Sequence, residues 1–295
     1  MPEKLTSIDD LKHHLGAHGN IKGLLRHASV VARLDSFLED LNTESTPLKV
    51  NFTLNTPRTN SLFHPSSIGS ATGKSLCGKY AIGCSRRLYY DYIGAESTEV
   101  IEPRTRRIFD TGSAVHAQLQ AYLTEIANRS MGSEKFQDEA RMDPKNSEFA
   151  DEYDIVGSTD GIYEVLLPDA VRFGIEFKTI NDAGYQKTSS AHQEHLMQGT
   201  VYQRCLDLPL MVFVYYNKND SSLAEFVQIY DERRWEAIAR KLNMVREAAI
   251  KEEPSPQEAG WHCSQCKYKA ICKPPKMARN EGAKLFKANR RKTNG

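Results

Sequence analysis

Apolar positions along the chain fall into stretches of helical and of strand period, and these lay out the molecule. Near the N-terminus, Ser7 followed by Asp10 has the form of a capping box with Asp in the Glu place, ahead of a helix over 7–18. Leu24, Leu25, Val31, Leu34, Phe37 and Leu38 recur at mostly helical spacing and predict a second helix over 20–42. Residues 43–66 are polar and punctuated by proline, which predicts a linker or extended arm. FDTGSAVHAQLQAYLTEIA (109–127) predicts an amphipathic helix beginning near Thr111. Three strand-like runs follow, EKFQDEARMD, YDIVGSTDGIYEV and AVRFGIEFKTI, the last two joined by a short LLPD turn. SSAHQEHLMQGTVYQRCLDL then reads as a helix, LMVFVYYN and AEFVQIYD as strands, and DERRWEAIARKLNMVREAAIKE as a long helix. The expected fold is α/β, a mixed central sheet flanked by helices. The expected division is an N-terminal helical extension and linker over 1–65, a core over 66–262, and a cysteine-rich segment with a basic tail over 263–295.

Composition narrows the setting. No apolar run approaches the roughly 20 residues needed to span a bilayer, and the N-terminus lacks the apolar stretch of a signal peptide. A cytoplasmic, reducing compartment is expected, in which cysteines serve as metal ligands or buried thiols. The net charge of +1 conceals an asymmetry, because from Lys267 onward ten basic residues face one acid, Glu281. Such a tail suits a polyanion; it equally suits a solvated segment that aids solubility.

One strand carries a pattern that a plain core strand does not need. In GIEFKT (174–179), Ile175 and Phe177 share one face while Glu176 and Lys178 share the other. The preceding strand places Asp160 beside Gly161 in an apolar run, where an unpaired charge is costly. Paired through the short turn, the two strands bring Asp160 and Glu176 together. Two close carboxylates repel unless a divalent cation joins them, and Mg²⁺ suits an all-oxygen site. Lys178 would then meet a water or a phosphate oxygen. The bland alternative is a surface hairpin with a salt bridge between Glu176 and Lys178.

The constellation Asp160, then Glu176-x-Lys178, resembles the PD-(D/E)xK nuclease superfamily, with Thr159 where a proline often precedes the first Asp. Gln198 and Tyr202, four apart on a helix, resemble the Q-x-x-x-Y motif of the RecB-type branch, and Gly112 with His116 resembles its Gly-x-x-x-His helix. The resemblance implies metal-dependent hydrolysis of DNA. Asp160, Glu176, His116 and the carbonyl of Phe177 would hold Mg²⁺ or Mn²⁺, with Lys178, Gln198 and Tyr202 as further catalytic groups. His116 can otherwise be a satisfied core residue. His195, one turn before Gln198, and Tyr185, in a polar loop, are candidate DNA contacts; a helix-surface histidine and a solvent-exposed loop tyrosine are the alternatives.

The cysteines stand at 77, 84, 205, 263, 266 and 272. Cys263, Cys266 and Cys272 form C-x2-C-x5-C, and a fourth thiolate must come from far away in sequence. This arrangement resembles the iron–sulfur nucleases of the RecB-type branch, among them AddB and CRISPR-associated adaptation nucleases, with one cysteine before the core and three after it. By that resemblance Cys84 completes a 4Fe–4S site, with Ser85 in place of the usual proline. Arg86, Arg87, Tyr89 and Tyr90 fit its basic–aromatic sequel. A structural zinc site is the alternative, and Cys77 could stand in for Cys84. Cys205, beside Leu206 and Leu208, reads as a small buried hydrophobe. Arg86 and Arg87 are expected to contact phosphates, and Tyr89, Tyr90 and Tyr92 either stack on bases or pack beneath the cluster. The likeness covers roughly 66–273. It implies a DNA exonuclease acting on single strands or ends in recombination, repair or phage DNA metabolism, as a homo-oligomer or beside a recombination or replication protein. The rival class is a DNA-binding or scaffolding protein that retains the metal centre without the chemistry.

Overall fold

A computed structural model of the chain describes residues 4–17, 21–42, 48–51, 54, 61–69, 80, 82–97, 101–167, 169–258 and 260–273. Cys77 and the basic tail beyond Lys273 lie outside the described residues. In chain order the elements are β1 (Lys4–Leu5), α1 (Ile8–Ala17), α2 (Lys22–Leu25), α3 (Val31–Leu41), α4 (Pro65–Ile68), α5 (Ser85–Tyr92) and α6 (Pro103–Arg129). Then come β2 (Glu134–Met142), α7 (Glu148–Glu152), β3 (Gly157–Val165), β4 (Ala170–Ile180), α8 (Asp182–Tyr185) and α9 (Gln193–Leu206). β5 (Leu210–Asn217), β6 (Leu223–Ile229), α10 (Glu232–Ile250) and α11 (Lys269–Cys272) complete the chain. No helix among the described residues is long and apolar enough to cross a membrane.

The strands form one mixed sheet in the order β2-β3-β4-β5-β6, antiparallel except for the parallel pair β4–β5. β1 adds a short parallel pairing beside the first residues of β4, Lys4 with Ala170 and Leu5 with Val171. This is the expected α/β mixed sheet flanked by helices. No residue of β4 or β5 is exposed, and β5 is buried almost throughout, as strands covered on both faces must be. Phe177 packs edge-on to His116 of α6 on one face, while Glu176 and Lys178 bond to Gln198 of α9 on the other. Each face of β4 therefore meets a different helix. Gly161, opposite Ile175, admits the ring of Phe136 so closely that a Cβ would stand 2.3 Å from it.

The N-terminal segment joins the same core, with Leu5, Ile8, Leu11, Leu24 and Leu34 buried within it. The capping box at α1 is present with one half shifted. Ser7 Oγ accepts from the Asp10 N–H at 3.0 Å, while the Asp10 carboxylate accepts from the Thr6 N–H at 2.9 Å. The helix expected over 20–42 is broken. α2 ends in a turn of 3-10 helix, Ser29 is extended, and α3 begins anew. The cause is Glu225 on β6, whose carboxylate accepts from Ser29 Oγ and from the Val30 and Val31 N–H groups at 2.6–2.9 Å. A tertiary cap satisfies donors that a continuous helix would have bonded internally, and periodicity cannot reveal it.

The helix expected from Thr111 begins instead at Pro103, a residue whose fixed φ suits a first turn. Its early turns bury nothing, so no apolar period marked them. Within 43–66, the described part includes Phe63, which bridges to Ile155, and α4, so this arm closes onto the core.

Candidate active site

The site arises where β3 and β4 stop pairing. Their ladder runs from Val165–Val171 to Gly161–Ile175 and goes no further. Beyond it, side chains take over the backbone groups. Thr159 Oγ1 donates to the Ile175 carbonyl at 2.6 Å, and Asp160 Oδ2 accepts from the Phe177 N–H at 2.6 Å. On the other edge of β3 the pairs Asp138–Gly161 and Ala140–Thr159 flank Glu139, which adopts a left-handed φ of 44°. Backbone departures of this kind are costly and are maintained only where the surroundings enforce them. The splayed strand ends leave Asp160 and Glu176 as buried neighbours, with Asp160 9% and Glu176 5% exposed.

Around these two acids the structure gathers the other candidates. His116 Nδ1 lies 3.0 Å from Asp160 Oδ1. Lys178 Nζ donates to Glu176 Oε1 and to Gln198 Oε1, both at 2.8 Å. Gln198 Nε2 donates to Glu176 Oε1 and to Tyr202 Oη, again at 2.8 Å. The amide thus holds carboxylate, ammonium and phenol at fixed positions, which its spacing from Tyr202 on α9 allows. Glu176 Oε2, by contrast, is buried and has no hydrogen-bond partner among the described residues. A buried carboxylate oxygen left bare is expensive unless something outside the chain meets it.

The electrostatics agree with that vacancy of partners. Burial pushes the Glu176 carboxyl up to about 7, and Asp160 adds to the rise; Lys178 and His116 oppose it without cancelling it. Burial alone would also raise Asp160. The His116 charge and hydrogen bond, the Phe177 N–H and the Lys178 ammonium outweigh it and hold the Asp160 carboxyl below its ordinary value. For His116 burial acts downward, yet Asp160 wins and raises it. Two acids are therefore driven apart in proton affinity by one environment, as in sites that bind a cation or transfer a proton.

His195 is close enough to Lys178 for its charge to act on the ring, although burial is the larger cause of a pKa pushed down to about 2. Tyr215, fully buried, accepts the His192 N–H and lies 2.6 Å from His195 Nδ1. A buried phenol must donate somewhere, so its proton goes to Nδ1 and the imidazole keeps its own on Nε2. Tyr185 is half-buried on α8 and packs against the core. Arg86 and Arg87 lie beside the C-terminal segment: Arg86 Nε donates to the Ser255 carbonyl at 2.7 Å, and Arg87 faces Asp91 at 3.9 Å. Tyr90 packs against Tyr268.

Cys84, Cys263, Cys266 and Cys272 lie near enough for their charges to act on one another. The charges of Cys84 and Cys272 both act on Cys263 and on Cys266, after burial, to raise those thiols. Gly260 N–H points at Cys263 Sγ (3.4 Å) and the Gln257 amide at Cys272 Sγ (3.3 Å). No three of the four sulfurs lie within 4.8 Å of one another; among the described residues, His192, Glu194 and His195 form the one group with that closeness. Cys205 is buried and raised to about 12 by desolvation, away from this set. A buried ion pair fastens the same region: Lys241 Nζ lies 2.9 Å from Glu258, which also accepts from the Ser85 N–H at 3.2 Å and from its hydroxyl.

Sequence reasoning missed three contributors. Gln120 donates to the Asp160 carbonyl at 2.8 Å and to Glu139 at 3.1 Å, holding α6 to β3. Glu139 is a third carboxylate at the rim, and Tyr215 fixes His195. Gln120 is one turn after His116, which is the signal that could have found it.

The sequence model of the PD-(D/E)XK nuclease superfamily matches residues 124–273. No curated protein matches the chain. Among solved structures it is similar to SSO0001, with 16% identity, coverage of 83% of this chain and 96% of that one, and a TM-score of 0.44. It is also similar to an alkaline exonuclease from Laribacter hongkongensis, with 14% identity, coverage of 63% and 91%, and a TM-score of 0.33. The same exonuclease in complex with dAMP gives 14% identity, coverage of 64% and 91%, and a TM-score of 0.34.

Proposed function

The chain belongs to the PD-(D/E)XK nuclease superfamily, and from that premise we propose that it is a divalent-metal-dependent DNA exonuclease acting on single strands or ends. The observation that carries the reading is the bare, buried Glu176 Oε2 beside Asp160, with the Lys178 ammonium fixed next to both. That donor set, two carboxylates and an imidazole beside a free strand end, fits a hard divalent cation. Asp160, Glu176, His116 and the Phe177 carbonyl would hold it. A bound Mg²⁺ or Mn²⁺ supplies a water of lowered pKa and polarises the scissile phosphate.

The chain's own groups do the rest. Lys178, oriented by Gln198, offers N–H donors to charge growing on the phosphate oxygens. Gln198 and Lys178 hold Glu176 Oε1, and Tyr202 accepts from the same Gln198 amide, so that only Oε2 faces the ligand. His195, neutral and donating through Nε2, is a DNA contact near Lys178, and Tyr185 a second one. Arg86 and Arg87 belong with the cysteine segment as much as with DNA.

Cys84, Cys263, Cys266 and Cys272 would hold a 4Fe–4S cluster. N–H groups aimed at two of the sulfurs stabilise thiolates, as cluster ligation requires. Recombination, repair or phage DNA metabolism is the setting proposed.

The reading is tested with end-labelled single-stranded DNA, Mg²⁺ or Mn²⁺, and an EDTA control. Wild-type protein is expected to shorten the strand progressively from an end. Lys178→Ala is expected to bind metal and leave the strand intact. Cleavage by Lys178→Ala at the wild-type rate would defeat the assignment.

A further inference from the structure

Asp160 is held at two points by one helix. His116 Nδ1 lies 3.0 Å from its Oδ1, and Gln120 Nε2 donates to its main-chain carbonyl at 2.8 Å. Four residues, about 6 Å of rise, separate the two side chains on one face of α6. A single contact leaves an acid free to turn against an imidazole. Two contacts from one rigid element fix both separation and angle. His116 needs that second contact. No residue from Pro103 to His116 is buried, and Val115 is the one apolar side chain of that stretch packed against the core. The ring itself meets Phe177 edge-on, with 5.8 Å between centroids.

The Gln120 amide is itself fixed. Its Nε2 also donates to Glu139 Oε1 at 3.1 Å, so both amide hydrogens are engaged and the group cannot flip. Glu139 Oε2 accepts from Ser158 Oγ at 2.7 Å. Ser158 lies two residues before Asp160 on β3, so the hydrogen bonds form a circuit that leaves that strand and returns to it. Glu139 is the residue of β2 with a left-handed φ, 44°, which side chains other than Asn and Asp rarely adopt. The departure falls where a carboxylate of β2 reaches across to α6. Gln120, Glu139 and Ser158 are not candidate ligands themselves; they surround one.

We propose that Gln120, anchored by Glu139, is a positioning residue that sets His116 against Asp160 so that both ligate one divalent cation. The cation rests on the nuclease reading, whereas the clamp belongs to the metal-free chain. Groups that orient metal ligands from behind change affinity by about 10–100-fold when removed. The loss falls on the imidazole, because Glu176 is held separately by Gln198 and Lys178.

Gln120→Met keeps an unbranched side chain and removes the donors. It is expected to weaken Mn²⁺ binding about tenfold in calorimetry without DNA, with a melting temperature near the wild-type value. Pulsed electron resonance of bound Mn²⁺ is expected to show nitrogen coupling in the wild type, weaker coupling in Gln120→Met, and none in His116→Ala. In the His116→Ala background, Gln120→Met is expected to lose no further affinity. Glu139→Ala, the other half of the clamp, is expected to act in the same direction by a smaller factor. In the metal-free protein at fixed pH, the His116 ring ¹⁵N resonances are expected to move in Gln120→Met. Unchanged affinity, nitrogen coupling and ring resonances in Gln120→Met overturn the proposal. So does a loss of affinity that persists in His116→Ala, which would place the effect on Asp160 or on the fold. Wild-type protein that takes up no Mn²⁺, while the ring resonances still move, would support the clamp and count against the metal reading.

Discussion

Lowering the pH should strip the candidate metal site of its ion before it harms the fold. Glu176 is an acid whose carboxyl is pushed up to about 7, so it carries a proton below that value and is ionised above it. An ion at Oε2 must displace that proton, and affinity is therefore lost as pH falls through about 7. For one competing proton the dissociation constant rises by a factor of one plus ten to the power of pKa minus pH. Between about pH 8 and pH 5.5 this weakens binding about 30-fold. His116, held above its ordinary value by Asp160, must also lose a proton to act as a ligand, which steepens the dependence further. Isothermal titration of the metal-free protein with Mn²⁺ at a series of pH values measures this directly. Glu176→Gln should bind weakly throughout and lose the Glu176 component of the slope. Equal affinity at pH 5.5 and pH 8 in the wild type would refute the argument, because neither a bare raised carboxyl nor a protonated imidazole could then lie at the site.

Two further outcomes follow from the cysteine end. Lys241→Met leaves the Glu258 carboxylate buried beside Ser85 without its ammonium, and should cost about 3–5 kcal/mol in urea unfolding; adding Glu258→Met should recover most of the loss. Cys84→Ser should lower the iron content of anaerobically purified protein and expose both the α5 and α11 segments to protease, and full iron with normal protease resistance would count against a cluster clasp.

The sheet was legible because its strands carry their own evidence. β4 and β5 coincide with AVRFGIEFKTI and LMVFVYYN, whose apolar content and turn-bounded lengths leave little choice. The chemistry on β4 was legible for the same reason, since period two puts Glu176 and Lys178 on one face without any tertiary knowledge. What stayed hidden depends on partners distant in sequence. Glu225 breaks a helix 194 residues away by capping Val31, and no local pattern announces it. The splaying of β3 from β4, which bares Glu176 Oε2, comes from Thr159 and Asp160 taking over backbone hydrogen bonds. The first turns of α6 were invisible because hydrophobic periodicity records burial, and nothing there is buried.

The most direct measurement is anomalous diffraction at the manganese edge from crystals of the protein soaked in MnCl₂. The account predicts a peak between Asp160 and Glu176, within coordination distance of Glu176 Oε2, and its disappearance in Glu176→Gln. A peak only at His192, Glu194 and His195, or none near Asp160 in a saturated crystal, would contradict it.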